Sequence, residues 1–251
     1  MLFYSVVSCH LKMKEFKKKY IKTIRLNSFR PLCMTEIGLK AIDDYKLPPF
    51  IDGSCRREPD FENEFPSITS LCRQGKFAPH LCPNDIVVYI TVQGKWFEDF
   101  DHYRLIAILV VKDKKDNHSQ AASWYQRNNN LIPSNCMVPD NPPFAFDMTM
   151  GNFPSKKEIE NFLKHVKEKQ KRIGQRRIDL WNDEYLKKSK KWGDFVITKT
   201  IFKNVHTPPL LTLDEMSRIF GKTPNTRNPN KISKEQFREL AKHADIDFIT
   251  E

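Results

Sequence analysis

The chain has 251 residues, of which 39% are hydrophobic and 12% aromatic, and its formal net charge is +11. These values exclude a chain without a core and predict a globular protein of one large or two small domains. The longest apolar run, residues 105–111, is far shorter than the roughly 18 residues that cross a membrane, so we predict no membrane partner.

The cysteines indicate the compartment. Six of them, at positions 9, 33, 55, 72, 82 and 136, form no CxxC pair, so we predict free thiols rather than a disulfide framework. The apolar start, residues 1–9, lacks a preceding basic region and is followed by lysines, so we predict no signal peptide. A cytoplasmic location follows from both observations.

The positive charge is concentrated in two segments. Residues 1–33 carry eight lysines and arginines against one acid, and residues 156–204 carry fifteen against seven. Residues 34–155 carry twelve against sixteen and are mildly acidic. Two basic segments around an acidic body predict a polyanion partner, with ordinary solvated helices as the alternative.

The first two thirds of the chain are predicted to be an arm followed by strands and loops. Residues 1–33 are a basic N-terminal arm, with disorder as an open alternative. Residues 34–154 contain a short helix at 67–72 and strands at 82–91 and 104–112, separated by an aromatic, acidic loop. Ser119 is predicted to cap a short helix that asparagines end, and the proline-containing residues 134–149 are predicted to be extended.

Residues 155–251 are predicted to be a basic helical extension with one returning strand at 194–203. Capping boxes predict helix starts at Ser155, Thr212 and Ser233, because each is followed three residues later by Glu or Gln. The connection between the last two helices is too long for an ordinary helix-turn-helix. The residues predicted to contact nucleic-acid phosphates are Lys171, Arg172, Arg176, Arg177, Lys187 and Lys188.

Several common site motifs are absent from the sequence. There is no phosphate-binding GxxxxGK[ST], no GxGxxG, no GxSxG and no HExxH, which argues against ATPases, dinucleotide dehydrogenases, α/β-hydrolases and zincins. The spacing of His80, Cys72 and Cys82 does not match a structural zinc site, so we predict no metal and no cofactor. A cysteine nucleophile at Cys72, with His80 or His102 as base, is a weaker alternative.

Residues 48–68, PPFIDGSCRREPDFENEFPSI, interleave charges with apolar anchors. Charged groups held near a core need partners, and a ligand can supply one. If the protein is an enzyme, Asp52 or Glu58 is the predicted catalytic carboxylate, and Arg56 and Arg57 are predicted to bind substrate. Structural salt bridges that fix a loop are the alternative.

Aromatic and amide side chains supply a possible base-binding set. Four aromatic residues fall in or beside loops and are predicted to hold a nucleobase, which proteins commonly clamp between aromatic rings: Trp96, Phe97, Trp124 and Tyr125. Asn135 and Asn141, flanked by prolines, are the predicted readers of its edge. Closure of the hydrophobic core is the alternative for Trp124 and Tyr125.

The central part of the chain, about residues 47–150, resembles in its organisation the PUA-like superfamily, which includes ASCH, EVE and YTH domains and nucleotide-modification-associated domains. The resemblance rests on FIDGSC, FPSITSLCR, APHLCPND leading into IVVYIT, and RLIAILVVK followed by SQAASWY. It implies an α+β fold in which a mixed β-barrel core, residues 34–154, and short helices surround a nucleobase pocket.

Together these observations predict a nucleic-acid-binding protein, for DNA rather than RNA, that engages a single modified or flipped base. A DNA N-glycosylase that acts on modified bases in anti-phage defence is the enzymatic form of this hypothesis. The alternatives are a non-catalytic RNA-binding or modified-base reader and an interaction protein for an acidic partner.

Overall fold

The structure is a computed structural model, and it describes residues 22–53, 58–133, 187–222, 224 and 229–246. Some predicted features lie outside these residues: the capping box at Ser155 and the site residues Arg56, Arg57, Asn135, Asn141, Lys171, Arg172, Arg176 and Arg177.

The described elements mix strands and helices. The strands are β1 (Ile24–Phe29), β2 (Ser67–Thr69), β3 (Ile86–Thr91), β4 (His102–Lys115), β5 (Phe195–Lys203), β6 (Leu210–Thr212) and β7 (Asn230–Ile232). The helices are α1 (Glu36–Tyr45), α2 (His118–Arg127), α3 (Leu213–Phe220) and α4 (Lys234–Lys242).

The seven strands form one open sheet in the order β2-β5-β4-β3-β1-β7, and β6 pairs with β4 off this path. The α+β class is therefore confirmed, but the predicted closed barrel is wrong. Closure would require the two end strands, β2 and β7, to pair with each other. Each is only three residues long and pairs with β5 or β1 instead.

The described residues fall into two compact units. Unit 1 takes its described residues from 1–28, 82–112 and 199–251. Its core contains Ile86, Val88 and Ile90, which alternate along β3, together with Ile24 and Leu26 of β1. Both C-terminal helices add to this core, and each begins with the predicted capping box, at Thr212 and at Ser233.

Unit 2 takes its described residues from 29–81 and 113–198. Its core packs Ala121, Trp124 and Tyr125 of α2 against Phe65 and Phe195. The Tyr125 hydroxyl donates a hydrogen bond of 2.6 Å to the Phe65 carbonyl, so the polar tip of the buried ring is satisfied.

The strands of the sheet come from all three predicted segments, 1–33, 34–154 and 155–251, and the domain boundaries themselves stay predictions. The end of the predicted arm forms β1, because Ile24 and Leu26 are apolar side chains that the core of unit 1 buries. The C-terminal third supplies three strands of the sheet rather than one. The helix predicted at 67–72 is also wrong: Ser67–Thr69 pair with β5, and a 3-10 turn, Cys72–Gly75, follows them.

Candidate functional site

Three carboxylates of the charged segment are buried in unit 2. Asp52, Glu58 and Asp60 are 8%, 3% and 7% exposed. Runs of charged residues usually lie on the solvent-exposed surface, and these three side chains do not. Asp52 forms an isolated bridge with Pro31. A side chain at the following residue, Gly53, would meet the Pro31 carbonyl oxygen at 3.0 Å. The backbone at Gly53 therefore packs closely against the backbone at Pro31.

Both carboxylate oxygens of Glu58 accept hydrogen bonds from Thr69. Its Oε1 accepts a hydrogen bond from the Thr69 amide, and its Oε2 accepts one of 2.6 Å from the Thr69 hydroxyl. The same hydroxyl accepts from the Leu71 amide at 3.2 Å. Glu58 therefore fastens its loop to the end of β2, and its predicted catalytic role stays a prediction.

The rings predicted to clamp a base lie mostly inside the protein. Trp96 and Trp124 are 8% and 9% exposed, and Tyr125 is fully buried. The Trp96 indole donates to the Val92 carbonyl at 3.0 Å, and Trp124 packs edge-on against Phe65. Burial raises the pKa of Tyr125 far above its usual range, and the charge of Asp60 adds to the shift. These positions support the core alternative over a stacking role.

Two phenylalanines are exposed in the loop between β3 and β4: Phe97, which the sequence analysis placed among the base-binding aromatics, and Phe100, which it missed. Phe97 and Phe100 are 65% and 49% exposed, and Phe97 has a left-handed backbone with φ of 61°. A bulky residue in that region is strained by about 1–2 kcal/mol, so the surrounding structure must hold it there. The aromatic, acidic composition of this loop was the available signal, but it indicated Trp96 as readily as its neighbours.

Arg104 fixes this loop. Its guanidinium donates to the Trp96 carbonyl at 3.3 Å, to Glu98 Oε1 at 2.7 Å and to His102 Nε2 at 3.0 Å. Because His102 Nε2 accepts that bond, its Nδ1 carries the proton and donates to the Phe100 carbonyl at 2.9 Å. Both ring nitrogens of the buried His102 are thus used within the loop, which disfavours His102 as a general base.

A strongly basic surface is formed by the lysine segment, residues 187–191, which is helical and belongs to unit 2. It contains Lys187, Lys188, Lys190 and Lys191, and all four are exposed. Partly exposed Trp192 follows directly, and the Lys191 ammonium lies 4.9 Å from the centre of its ring. Four cations beside one aromatic ring form a surface suited to a polyanion that carries rings of its own.

Two close contacts anchor the end of the lysine segment. A side chain at Gly75 would meet the Trp192 ring at 2.8 Å, and one at Gly193 would meet the Asp116 carbonyl oxygen at 2.5 Å. Gly75 has φ of 77° and ends a turn in which Arg73 and Gln74 are also left-handed. Glycine at 75 and 193 therefore lets Trp192 and the backbone after it pack closely within unit 2.

Asp194, three residues after the lysine segment, is neutralised by a cation. Lys114 Nζ lies 2.9 Å from Asp194 Oδ1, and the Ser70 hydroxyl donates to Oδ2 at 3.1 Å. Burial by itself would raise the pKa of Asp194, but the Lys114 hydrogen bond and charge and the Ser70 hydrogen bond outweigh it, so the pKa lies below its usual value. The carboxylate therefore does little to offset the positive charge of the lysine segment.

Within the part of the chain that the structure describes, no group of three or more His, Cys, Asp or Glu side chains could hold a metal ion. None of the described helices is long and apolar enough to span a membrane.

Comparison with known proteins finds no matching family model, and no curated protein or solved structure is significantly similar to this chain.

Proposed function

We propose that this protein binds nucleic acid through the lysine segment and Trp192, with the phosphate backbone as the main point of contact. The observation that carries the proposal is the run of four exposed lysines next to a partly exposed tryptophan. Lysines bind phosphates as point charges without reading sequence, and a neighbouring ring can stack on a base.

The energetic terms of this proposal can be estimated. If all four lysines contact phosphates, the logarithm of the affinity falls with the logarithm of the salt concentration with a slope of about −3 for a single strand. One stacked base adds about 1–3 kcal/mol and tolerates any base. The combination favours single-stranded or distorted nucleic acid, in which bases are accessible to an aromatic ring.

A direct test compares two variants with the same change in net charge. In one, Lys187, Lys188, Lys190 and Lys191 are replaced by glutamine. In the control, four exposed lysines elsewhere, Lys40, Lys95, Lys222 and Lys242, are replaced by glutamine. The proposal predicts that affinity for a fluorescent oligonucleotide, measured by anisotropy at 0.1 M salt, falls about a hundredfold in the first variant only. An equal loss in both variants would show non-specific attraction to a basic protein and refute the assignment.

Engagement of a single base is part of the proposal, and the exposed Phe97 and Phe100 support it better than the buried rings. Trp192→Ala tests stacking beside the lysine segment, and Phe97→Ala tests stacking on the loop of unit 1. Loss of affinity for an oligonucleotide, but not for a polyphosphate of matched charge, is the expected result for a stacking residue. Equal losses for both ligands would contradict stacking.

DNA N-glycosylase activity is the second candidate function, and the buried carboxylates Asp52, Glu58 and Asp60 favour it. Incubation with DNA that carries modified bases, followed by alkaline cleavage, would reveal abasic sites. The enzymatic proposal predicts cleavage that Asp52→Asn or Glu58→Gln abolishes while binding persists. Binding without cleavage on every modified substrate would leave the reader function.

The same assays separate the remaining alternatives. A preference for RNA over DNA of the same sequence would identify an RNA reader. If the partner is instead an acidic protein, oligonucleotides should bind only weakly even at low salt, and their affinity should not fall with salt concentration with the slope of about −3.

A further inference from the structure

A groove of about 500 Å³ in unit 2 is lined by five residues: Lys115, Ser119, Gln120, Ser123 and Arg127. Four of them belong to α2, and Ser119, Ser123 and Arg127 follow one another at intervals of four residues along one face of this helix. The opposite face carries Ala121, Trp124 and Tyr125, which the core buries. The helix is therefore held firmly while its polar face forms one wall of the groove.

The local hydrogen bonds leave mainly donors for a ligand. Gln120 Oε1 accepts from the Asp116 amide at 3.2 Å, which directs the oxygen toward the backbone and leaves the amide NH₂ as the available end. Arg127 Nε donates to the Ser123 carbonyl at 3.1 Å, so the two Nη groups are the donors that remain. Two serine hydroxyls lie on the same face of the helix.

The charged residues that line the groove are positive, which suits the same kind of ligand as the hydrogen-bond donors. Among its lining residues there are two cations and no acid. Lys115 Nζ lies 2.7 Å from Asp113 Oδ2, and this ion pair uses one of the three N–H donors of the ammonium group. Arg127 has no ion pair among the described residues. The five side chains together form a concave set of donors with net positive charge, which complements an oxyanion.

We propose that this groove binds the phosphate group of a nucleotide. The inference rests on the proposed function in one respect, because it assigns a second phosphate contact to the unit that carries the lysine segment. The two features adjoin within unit 2: Gly193, two residues after that segment, packs on the carbonyl of Asp116, and Asp116 follows Lys115 of the groove. The lysines attract any polyanion, whereas the groove supplies directed hydrogen bonds to one phosphate.

Two sources of phosphate fit this chemistry, and the ligands distinguish them. A strand end carries a phosphate monoester, and an internal position carries a diester. We would measure anisotropy of a fluorescent oligothymidylate with a 5′-phosphate and with a 5′-hydroxyl, and titrate thymidine 5′-monophosphate and thymidine against the full chain by NMR. The variants are Arg127→Gln, the double change Ser119→Ala with Ser123→Ala, and Lys40→Gln as a control on the exposed face of α1.

We expect thymidine 5′-monophosphate, but not thymidine, to shift the amide signals of residues 115–127. We also expect Arg127→Gln and the serine pair each to weaken binding of a phosphate-bearing ligand about tenfold, while Lys40→Gln leaves it unchanged. A tenfold preference for the 5′-phosphate identifies the monoester. Equal affinity for both oligonucleotides, with the same loss in the groove variants, identifies an internal phosphate.

Failure of this inference is distinguishable from failure of the proposed function. Oligonucleotides that bind wild type and both groove variants equally would overturn the groove while the lysine segment stands. Mononucleotide binding that the groove variants weaken, without oligonucleotide binding, would support the groove and remove the proposed function. Amide NMR signals of residues 115–127 that match those of wild type without ligand check that each variant keeps α2.

Discussion

Replacement of Glu58 by alanine is expected to destabilise the protein strongly. Glu58 is 3% exposed, and its carboxylate accepts hydrogen bonds from the amide and the hydroxyl of Thr69, which is itself fully buried. Alanine would leave two buried donors without their acceptor, and each such donor costs about 1–3 kcal/mol. Because the hydroxyl can rotate toward another acceptor, the total is about 2–4 kcal/mol.

Glutamine at the same position should be milder. Its amide oxygen keeps the bond from the Thr69 amide, and its NH₂ can donate to the Thr69 hydroxyl oxygen, so the cost is about 1–2 kcal/mol. Glu62, an exposed neighbour, provides the matched control: Glu62→Ala removes the same charge and should change stability by less than about 0.5 kcal/mol.

Thermal unfolding followed by circular dichroism measures these differences. For a chain of this size about 1 kcal/mol corresponds to roughly 2–4 °C, so Glu58→Ala should lower the midpoint by about 4–16 °C. A midpoint within 2 °C of wild type for Glu58→Ala would refute the structural role. If, in addition, the same variant lost glycosylase activity while stably folded, Glu58 would be catalytic instead.

Three further predictions concern the surroundings of the site and the core of unit 1. Gly75→Ala should cost about 1 kcal/mol more than Gly221→Ala in urea unfolding, since both backbones are left-handed but only the Gly75 side chain would meet Trp192; equal costs would contradict that contact. Thr212→Ala, which removes an N-cap, should cost about 1 kcal/mol in the same assay, and a neutral result would exclude the capping box. The lowered pKa of Asp194 means that its ionised form adds stability above its unfolded pKa of 3.8, and this contribution is lost as the pH falls through the folded pKa. Asp194→Asn should therefore be less stable than wild type at pH 7, with the difference vanishing in acid; a gap that persists at pH 2 would oppose this origin.

The local elements of the fold were predictable where a short stretch of sequence decides them. Strands β3 and β4 follow from continuous β-branched and aliphatic runs, and the capping boxes at Thr212 and Ser233 follow from side chains three residues apart. Sheet order was not predictable, because pairing of β1 with β7 joins residues about two hundred positions apart.

The site was predictable in composition but not in exposure. The sequence identified Lys187 and Lys188 as basic surface, and both are exposed. It could not distinguish Trp96 from Phe97, because burial in this loop depends on the hydrogen bonds of Arg104 and on an unusual backbone angle. The groove on α2 was missed because serines, a glutamine and two cations carry no motif until a helix aligns them.

The most direct test of the central claim is the salt dependence of oligonucleotide binding in wild type and in the variant with glutamine at Lys187, Lys188, Lys190 and Lys191. The account predicts that the slope of the logarithm of affinity against the logarithm of salt concentration becomes shallower by about 3 in this variant. The control variant at Lys40, Lys95, Lys222 and Lys242 should keep the wild-type slope. A slope unchanged by loss of the lysine segment would contradict the claim that this segment binds nucleic acid.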